Sequence, residues 1–231
     1  MSRLQEQLSS GKQLSRPSDS PVGTSSAMQF RAEIRGTEQF VRNADDGINW
    51  LGATDDTLTT VVNSAGRART LMLAGLNGTA SATEREALAT EIDAIRSGLL
   101  DAANATYLDR PLFAGTADVG SAYDRTTGAF IGNIADENAP SATGKVERRI
   151  APGVTARVNL TGPEVFGPQD GSGRDLFAIL ADAAAHLRAG DNDAVGNDLT
   201  AVDLQLQEVS YQAALSATAR VIQPSLLDFL R

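Results

Sequence analysis

Apolar residues recur at helical spacing along most of this chain. After Pro21 no proline interrupts the sequence until well beyond residue 77, and apolar positions return every three or four residues. Ser20 is a typical helix N-cap residue, and Pro21 suits the first helical position because its missing N–H needs no partner there. The pattern predicts one helix of roughly 80 Å over residues 21–77. Gly47 is the place where we expect a small break.

A seven-residue repeat runs through this predicted helix. One set of positions is Ile34, Val41, Ile48, Asp55, Val62 and Arg69, and its companion set is Thr37, Ala44, Leu51, Leu58, Ala65 and Met72. Most of these side chains are apolar, as in helices that pack along a seam. Each glycine inside the helix costs about 1 kcal/mol relative to alanine. We therefore expect packing against other helices to stabilise it.

Further helices and a β-rich segment follow. A second helix is predicted over residues 81–104, and the short link at Asn77-Gly78 indicates an antiparallel hairpin with the first. Residues 107–172 hold most of the prolines, many glycines and four short β-prone runs, at residues 112–114, 129–131, 145–150 and 155–160. Helical spacing returns over residues 175–189. A break at residues 190–196 precedes a last helix over residues 199–230, which Pro224 should cut or kink.

The predicted fold is mainly α with a β-rich insertion. It is a long antiparallel helical bundle, with a coiled coil built from both chain ends, plus a small β domain. The predicted parts are a partial terminal helix and loop (1–20), the first part of the helical core (21–116), the inserted β-rich domain (117–172), the second part of the core (173–203) and the C-terminal terminal helix (204–231).

Composition narrows the possible functions. The net charge of −9 opposes binding to nucleic acid phosphates, and the chain has no cysteine for a disulfide, a thiolate nucleophile or a zinc site. No apolar stretch reaches the length of a membrane helix, and the first residues form no apolar signal core. We expect a soluble protein without membrane insertion, whose export would bypass the general secretory signal.

Candidate chemistry is sparse. The one histidine, His186, lies in a helix where nothing nearby in sequence indicates a catalytic partner or a metal set. The pairs Asp45-Asp46 and Asp55-Asp56 are interpreted as solvated helix surface, because adjacent residues point to different faces. Lys145, Arg148 and Arg149 form a small basic spot, and Trp50 is expected in the core. The sequence therefore predicts no catalytic, cofactor or metal site, and no enzyme.

Several segments resemble a known family. Residues 4–12 (LQEQLSSGK), 17–23 (PSDSPVG) and 43–48 (NADDGI) are similar to segments of the flagellin family of bacterial flagellar subunits. Within that family, the prolines at 17 and 21, residues 107–116 (YLDRPLFAGT) and residues 223–230 (QPSLLDFL) resemble the members that join the hook to the filament. The resemblance implies a structural subunit of the flagellum. A filament flagellin and a non-flagellar helical adaptor are the alternatives.

The resemblance also implies how such a subunit would assemble. Its location would be the flagellum outside the cell, reached by the flagellar type III export route, and its partners would be itself, hook-associated protein 1, flagellin and an export chaperone. Arg16 and Asp19 would contact neighbouring subunits, unless their loop is only a turn between helices. The residues expected in the inner coiled-coil seam, or alternatively in an ordinary intramolecular helix pair, are Leu4, Leu8, Leu215, Ile222, Leu226, Leu227 and Phe229.

The chain departs from the family pattern in two places. Family members carry a longer segment before the first leucine repeat and a long helix before the final one, whereas here Asp203 runs directly into Leu204. We therefore expect a chain shortened at its N-terminus and in its C-terminal helical region.

Overall fold

The structure, a computed structural model, describes residues 20–77, 80–133, 144–169 and 173–229, without the side chains of residues 216 and 219–229. The predicted fold class is confirmed, since long helices dominate and the strands form two small antiparallel sheets. The elements are α1 Pro21–Gly75, α2 Ala82–Ala103, β1 Thr106–Tyr107, β2 Arg110–Pro111, β3 Glu147–Ala151, β4 Val154–Arg157, α3 Gly162–Phe166, α4 Leu176–Ala189 and α5 Asn192–Phe229.

Helix α1 is a single helix of 55 residues. It begins as predicted, with the Ser20 hydroxyl accepting a hydrogen bond from the Gly23 amide at 3.1 Å and Pro21 in the first turn. The break expected at Gly47 is absent, because this glycine lies in the packed face of the helix. There it lets Val158 approach closely, so that a Cβ at this position would lie 2.9 Å from the Val158 side chain.

The buried face of α1 follows a seven-residue repeat, as predicted, but only one of the two predicted sets is right. The set that runs from Thr37 to Met72 is the right one, since its members from Ala44 to Met72 are buried. The other set is wrong by one position, since Ile48, Asp55, Val62 and Arg69 are only partly buried. The buried companions are Gly47, Thr54, Val61, Ala68 and Gly75. Small residues in this set allow the neighbouring elements to approach the α1 backbone. A search for the most hydrophobic side chains does not detect such positions, because glycine and threonine are not strongly hydrophobic.

Capping residues set the ends of the other helices. The capping box of Ser81 and Glu84 begins helix α2. Asp175 caps the start of α4, and Gly190, with a left-handed φ of 72°, caps its end. Helix α5 begins earlier than predicted, because Asp191 caps it by accepting a hydrogen bond from the Ala194 amide at 3.0 Å. The predicted break at residues 190–196 is therefore too long, and the helix continues through Pro224.

Among the described residues, four helices form the bundle. Helix α1 packs against α2 and α5, and α4 packs against α2 and α5. Arg188 at the end of α4 pairs with Glu86 near the start of α2, whereas Asp203 of α5 pairs with Arg69 of α1. Helix α5 therefore starts beside the α1–α2 turn and runs back along α1, antiparallel to it.

The segment between α2 and α4 shares the hydrophobic core of the bundle. Phe113, Tyr123 and Phe166 are fully buried and pack edge to face with one another or with Phe177 of α4. Residues 112–114 were predicted to be β-prone, but they form no strand and instead place their side chains in this core. Residues 145–150 and 155–160 contribute the β3–β4 hairpin. The boundaries of a separate β domain stay a prediction.

The β3–β4 hairpin is fixed to α1. The Asn43 side-chain amide donates to the Arg149 carbonyl at 2.8 Å, and Arg148 Nε lies 2.6 Å from Asp46 Oδ2. Asp46 was interpreted as solvated surface, and its pairing with Arg148 of the predicted basic spot corrects that interpretation. Further along α1, Leu51 packs with Val146 and Val158 in a small separate core. The hairpin therefore holds α1 from residue 43 onward.

Two glycines of α1 should respond oppositely to alanine. At Gly66 an added methyl group meets nothing within 4 Å, so Gly66→Ala should raise the free energy of unfolding by up to about 1 kcal/mol through helix propensity. At Gly75 the methyl group would overlap the fully buried Leu187 side chain, so Gly75→Ala should lower it by about 1–3 kcal/mol. Urea unfolding of both variants measures the two shifts, and equal shifts would contradict the packing at Gly75.

Glu164 ties strand β4 to helix α3. Burial alone would raise the pKa of Glu164, but hydrogen bonds from Arg157 and Thr161 and the charge of Arg157 together lower it. Because the pKa is lower in the folded state, the stabilisation is present at neutral pH and is lost as the pH falls through the folded pKa. Glu164→Gln should cost about 1–2 kcal/mol at pH 7 and nothing in strong acid. Urea unfolding at several pH values tests this, and a constant difference would refute it.

Candidate assembly surface

The first third of α1 has no buried residue. Over residues 21–43 every side chain is exposed or only partly buried, and the first buried position is Ala44. This segment lies ahead of the part of α1 held by the β3–β4 hairpin. It therefore extends from the bundle as an overhang of about 35 Å.

An apolar stripe lies on this overhang. Phe30, Ile34 and Val41 are 64%, 58% and 38% exposed. Their spacing of four and seven residues places them on one side of the helix. We call these three residues the overhang stripe. Ile34 and Val41 belong to the predicted repeat. Phe30 was not predicted, although its spacing of four residues from Ile34 indicates the same side of the helix.

A second stripe lies on α5. Leu204, Tyr211 and Leu215 are exposed large residues separated by seven and four positions. We call these three the α5 stripe. Leu215 was predicted in the assembly seam, and the structure places it in this stripe with an exposed side chain. Ile222 follows Leu215 by seven positions in the same helix and Phe229 follows by seven more, so the sequence extends the spacing.

The remaining predicted seam residues are described only in part. Leu4, Leu8, Arg16 and Asp19 lie outside the described residues. Ile222, Leu226, Leu227 and Phe229 lie within α5, whose backbone is described there without their side chains. The structure therefore does not test whether these residues form one seam, and the seam stays a prediction.

His186 has a partner that the sequence did not indicate. Its Nδ1 lies 2.6 Å from Oδ2 of Asp198, which is 2% exposed, and Arg174 Nη1 lies 2.7 Å from the other oxygen. Hydrogen bonds to Asp198 and Asp182 raise the pKa of Arg174. The partner was missed because it lies on the next helix. The cluster joins α4, α5 and the segment before α4, so Asp198 has a structural role.

Other site types have little support among the described residues. No group of three or more histidine, aspartate or glutamate side chains is arranged there to hold a metal ion. None of the helices in the described part of the chain is long and apolar enough to cross a bilayer. Trp50 is buried as predicted. The described surface carries two apolar helix faces, the overhang stripe and the α5 stripe. Exposed apolar patches of this kind mark sites of protein association.

Comparison with known proteins identifies the class. The family described as the bacterial flagellin N-terminal helical region matches residues 1–118. The chain therefore belongs to the flagellin family. Along nearly its whole length it is similar to the flagellar hook-associated protein 3 of Salmonella typhimurium, with 26% identity over 99% of this chain and 69% of that protein.

Two further comparisons bear on the fold and the branch of the family. The crystal structure of FlgL from Bacillus cereus has a TM-score of 0.71, with 20% identity over 90% of this chain and 95% of that one. This likeness supports the fold. The flagellar filament 30.7 kDa core protein of Treponema maltophilum is 29% identical over 90% of this chain and 66% of its own length. Similarity thus extends to a filament protein as well.

Proposed function

We propose that the chain is a hook-associated protein 3, a structural subunit that joins the flagellar hook to the filament by self-assembly through helical packing. The overhang stripe carries this proposal, because it is an apolar helix face that the described residues leave in water. The similarity to hook-associated protein 3 along nearly the whole chain supports the junction over other flagellar positions.

Assembly follows from the exposed stripes. Burial of apolar surface contributes roughly 25 cal/mol per Å². A subunit with two apolar helix faces that its described residues leave uncovered gains free energy when neighbouring copies cover them. The helix beneath the overhang stripe is already formed and capped at Ser20. Its ordering therefore adds little to the cost of association.

The predicted seam extends this surface. Leu4 and Leu8 would pair with the continuation of the α5 stripe at Ile222, Leu226, Leu227 and Phe229, while Arg16 and Asp19 would contact the neighbouring subunit. The heptad-like spacing from Leu215 to Phe229 supports this arrangement.

The partners follow from the position in the flagellum. The subunit would contact further copies of itself, hook-associated protein 1 on the hook side and flagellin on the filament side. It would reach the flagellum through the type III export route, escorted by a chaperone that covers its apolar helix faces.

A filament subunit is the second candidate, favoured by the similarity to the Treponema filament protein. A junction subunit and a filament subunit would lie at different positions along the flagellum. A short epitope inserted at the exposed Gly153 turn between β3 and β4 would report the position by immunogold electron microscopy. We expect one band of gold where the hook meets the filament. Labelling along the whole filament would establish the filament subunit instead, and label only inside the cell would support the helical adaptor.

A further inference from the structure

The two apolar stripes have matching spacing. In the overhang stripe the intervals are four and then seven residues, and in the α5 stripe they are seven and then four. When two helices pack antiparallel, one sequence is read against the reverse of the other. The reversed intervals therefore bring three apolar pairs side by side at once. The pairs are Phe30 with Leu215, Ile34 with Tyr211, and Val41 with Leu204.

One polar residue lies within each stripe. Thr37 follows Ile34 by three positions and Glu208 precedes Tyr211 by three, and both polar residues are exposed. With them, each row has intervals of four, three and four residues, which is the spacing of a coiled-coil seam. In the antiparallel alignment Thr37 lies beside Glu208, whereas a parallel alignment would place Ile34 beside Glu208. The polar positions therefore favour the antiparallel alignment.

Charge does not oppose this alignment. Glu208 is the acidic residue on the α5 side of the contact, and Glu38 would be the nearest acidic residue on the overhang. Arg35 and Arg42 lie three and four residues from Glu38 on the same side of α1, so positive charge outweighs negative charge there. The positions that flank the α5 stripe are uncharged, namely Gln205, Gln207, Gln212 and Ala214.

The two stripes of one molecule are too far apart to meet. Asp203, the neighbour of Leu204, pairs with Arg69 of α1. Val41, the counterpart of Leu204 in the antiparallel alignment, lies about 42 Å from Arg69 along the same helix. The contact must therefore join two molecules.

We propose that the overhang stripe packs antiparallel on the α5 stripe of a second copy of this chain, in the register that places Ile34 beside Tyr211. Within each molecule α5 is already antiparallel to α1, so the two copies point in the same direction and are displaced by about 40 Å along the helices. Because the stripes are different surfaces, each copy can use both, and the contact can continue from copy to copy as an array. The inference rests on the proposed self-assembly and adds the partner and the register of one contact.

Cysteine cross-linking tests the register, because the chain has no cysteine of its own. Ile34→Cys and Tyr211→Cys would be made in separate chains of different size, mixed, and oxidised with oxidised glutathione. A disulfide forms only between cysteines whose Cα atoms come within about 7 Å, so this matched pair should cross-link at least about tenfold faster than a mismatched pair. The mismatched pair is Ile34→Cys with Leu204→Cys, which is about 10 Å out of register. Val41→Cys with Leu204→Cys is a second matched pair and shows that a cysteine at position 204 can react.

An affinity measurement tests the same contact without a cross-link. Tyr211 is 58% exposed, so Tyr211→Asp should leave urea unfolding unchanged. It should weaken self-association, measured by analytical ultracentrifugation, by about tenfold or more. Ser210→Asp is the matched control, since Ser210 is exposed beside the stripe and should leave association within a few fold of the parent chain. Tyr211→Asp added to aspartates at Phe30 and Ile34 should cause little further loss, because all three changes remove one contact.

The outcomes separate this inference from the proposed function. If the parent chain associates but matched and mismatched pairs cross-link at equal rates, or Tyr211→Asp associates as the parent does, the inference is wrong while the proposed function stands. Additive losses would overturn the pairing of the two stripes. A parent chain that never associates would overturn both.

Discussion

Replacing Phe113 by alanine should lower the free energy of unfolding by about 3–5 kcal/mol. Phe113 is fully buried and packs edge to face on Phe166, with ring centroids 5.5 Å apart. It also links the segment after α2 to the bundle core, so its removal leaves a cavity between parts of the chain that are distant in sequence. A typical domain has only about 5–15 kcal/mol of stability to lose. Urea unfolding followed by circular dichroism measures the change.

The control for this prediction is Phe30→Ala. Phe30 is the same residue type, but it lies in the overhang stripe and is largely exposed. Its replacement should change the free energy of unfolding by no more than about 0.5 kcal/mol. Similar losses for the two variants would mean that the overhang is packed within the monomer, which would contradict the fold described above.

Placing aspartate at Phe30 and Ile34 together should weaken self-association at least about a hundredfold. Burial of a large apolar side chain contributes about 1.5–3 kcal/mol, so the loss of two removes at least about 3 kcal/mol from assembly. The two carboxylates would also lose hydration at a covered face. Both positions are exposed in the monomer, so the free energy of unfolding should stay nearly constant. Analytical ultracentrifugation gives the first quantity and urea unfolding the second.

Met28→Asp is the matched control for the stripe. Met28 is an exposed apolar residue of the same helix segment, but its spacing of two residues from Phe30 places it on the opposite side of α1 from that stripe residue. It should leave association within a few fold of the parent chain. If Met28→Asp weakens assembly as much as the stripe variant, the whole segment rather than one face is responsible. If neither variant weakens it, the overhang stripe is not the assembly surface.

Much of the helical plan was accessible from the sequence. Ser20 with Pro21, and Asp175 with Gly190, mark helix ends by local chemistry that acts within a few residues. The buried repeat from Ala44 to Met72 also appeared in the spacing. Local signals of this kind need no knowledge of the tertiary structure, which is why they predicted these elements correctly.

The errors came from contacts between distant residues. Gly47 was wrongly predicted as a break and Gly75 was not considered, because the role of both glycines depends on how closely Val158 and Leu187 approach them. Asp198 was missed because it reaches His186 from another helix.

The turn between β1 and β2 gave no signal either. Leu108 and Asp109 both have positive φ there, at 49° and 60°, although leucine and aspartate do not mark such a turn.

The most direct test of the junction role is complementation. The chain would be expressed in a bacterium that lacks its own junction protein, and the flagella would be imaged by electron microscopy. We expect filaments attached to hooks, and the variant with aspartate at Phe30 and Ile34 should restore none. Bare hooks with flagellin shed into the medium, despite confirmed export of the parent chain, would contradict the junction role.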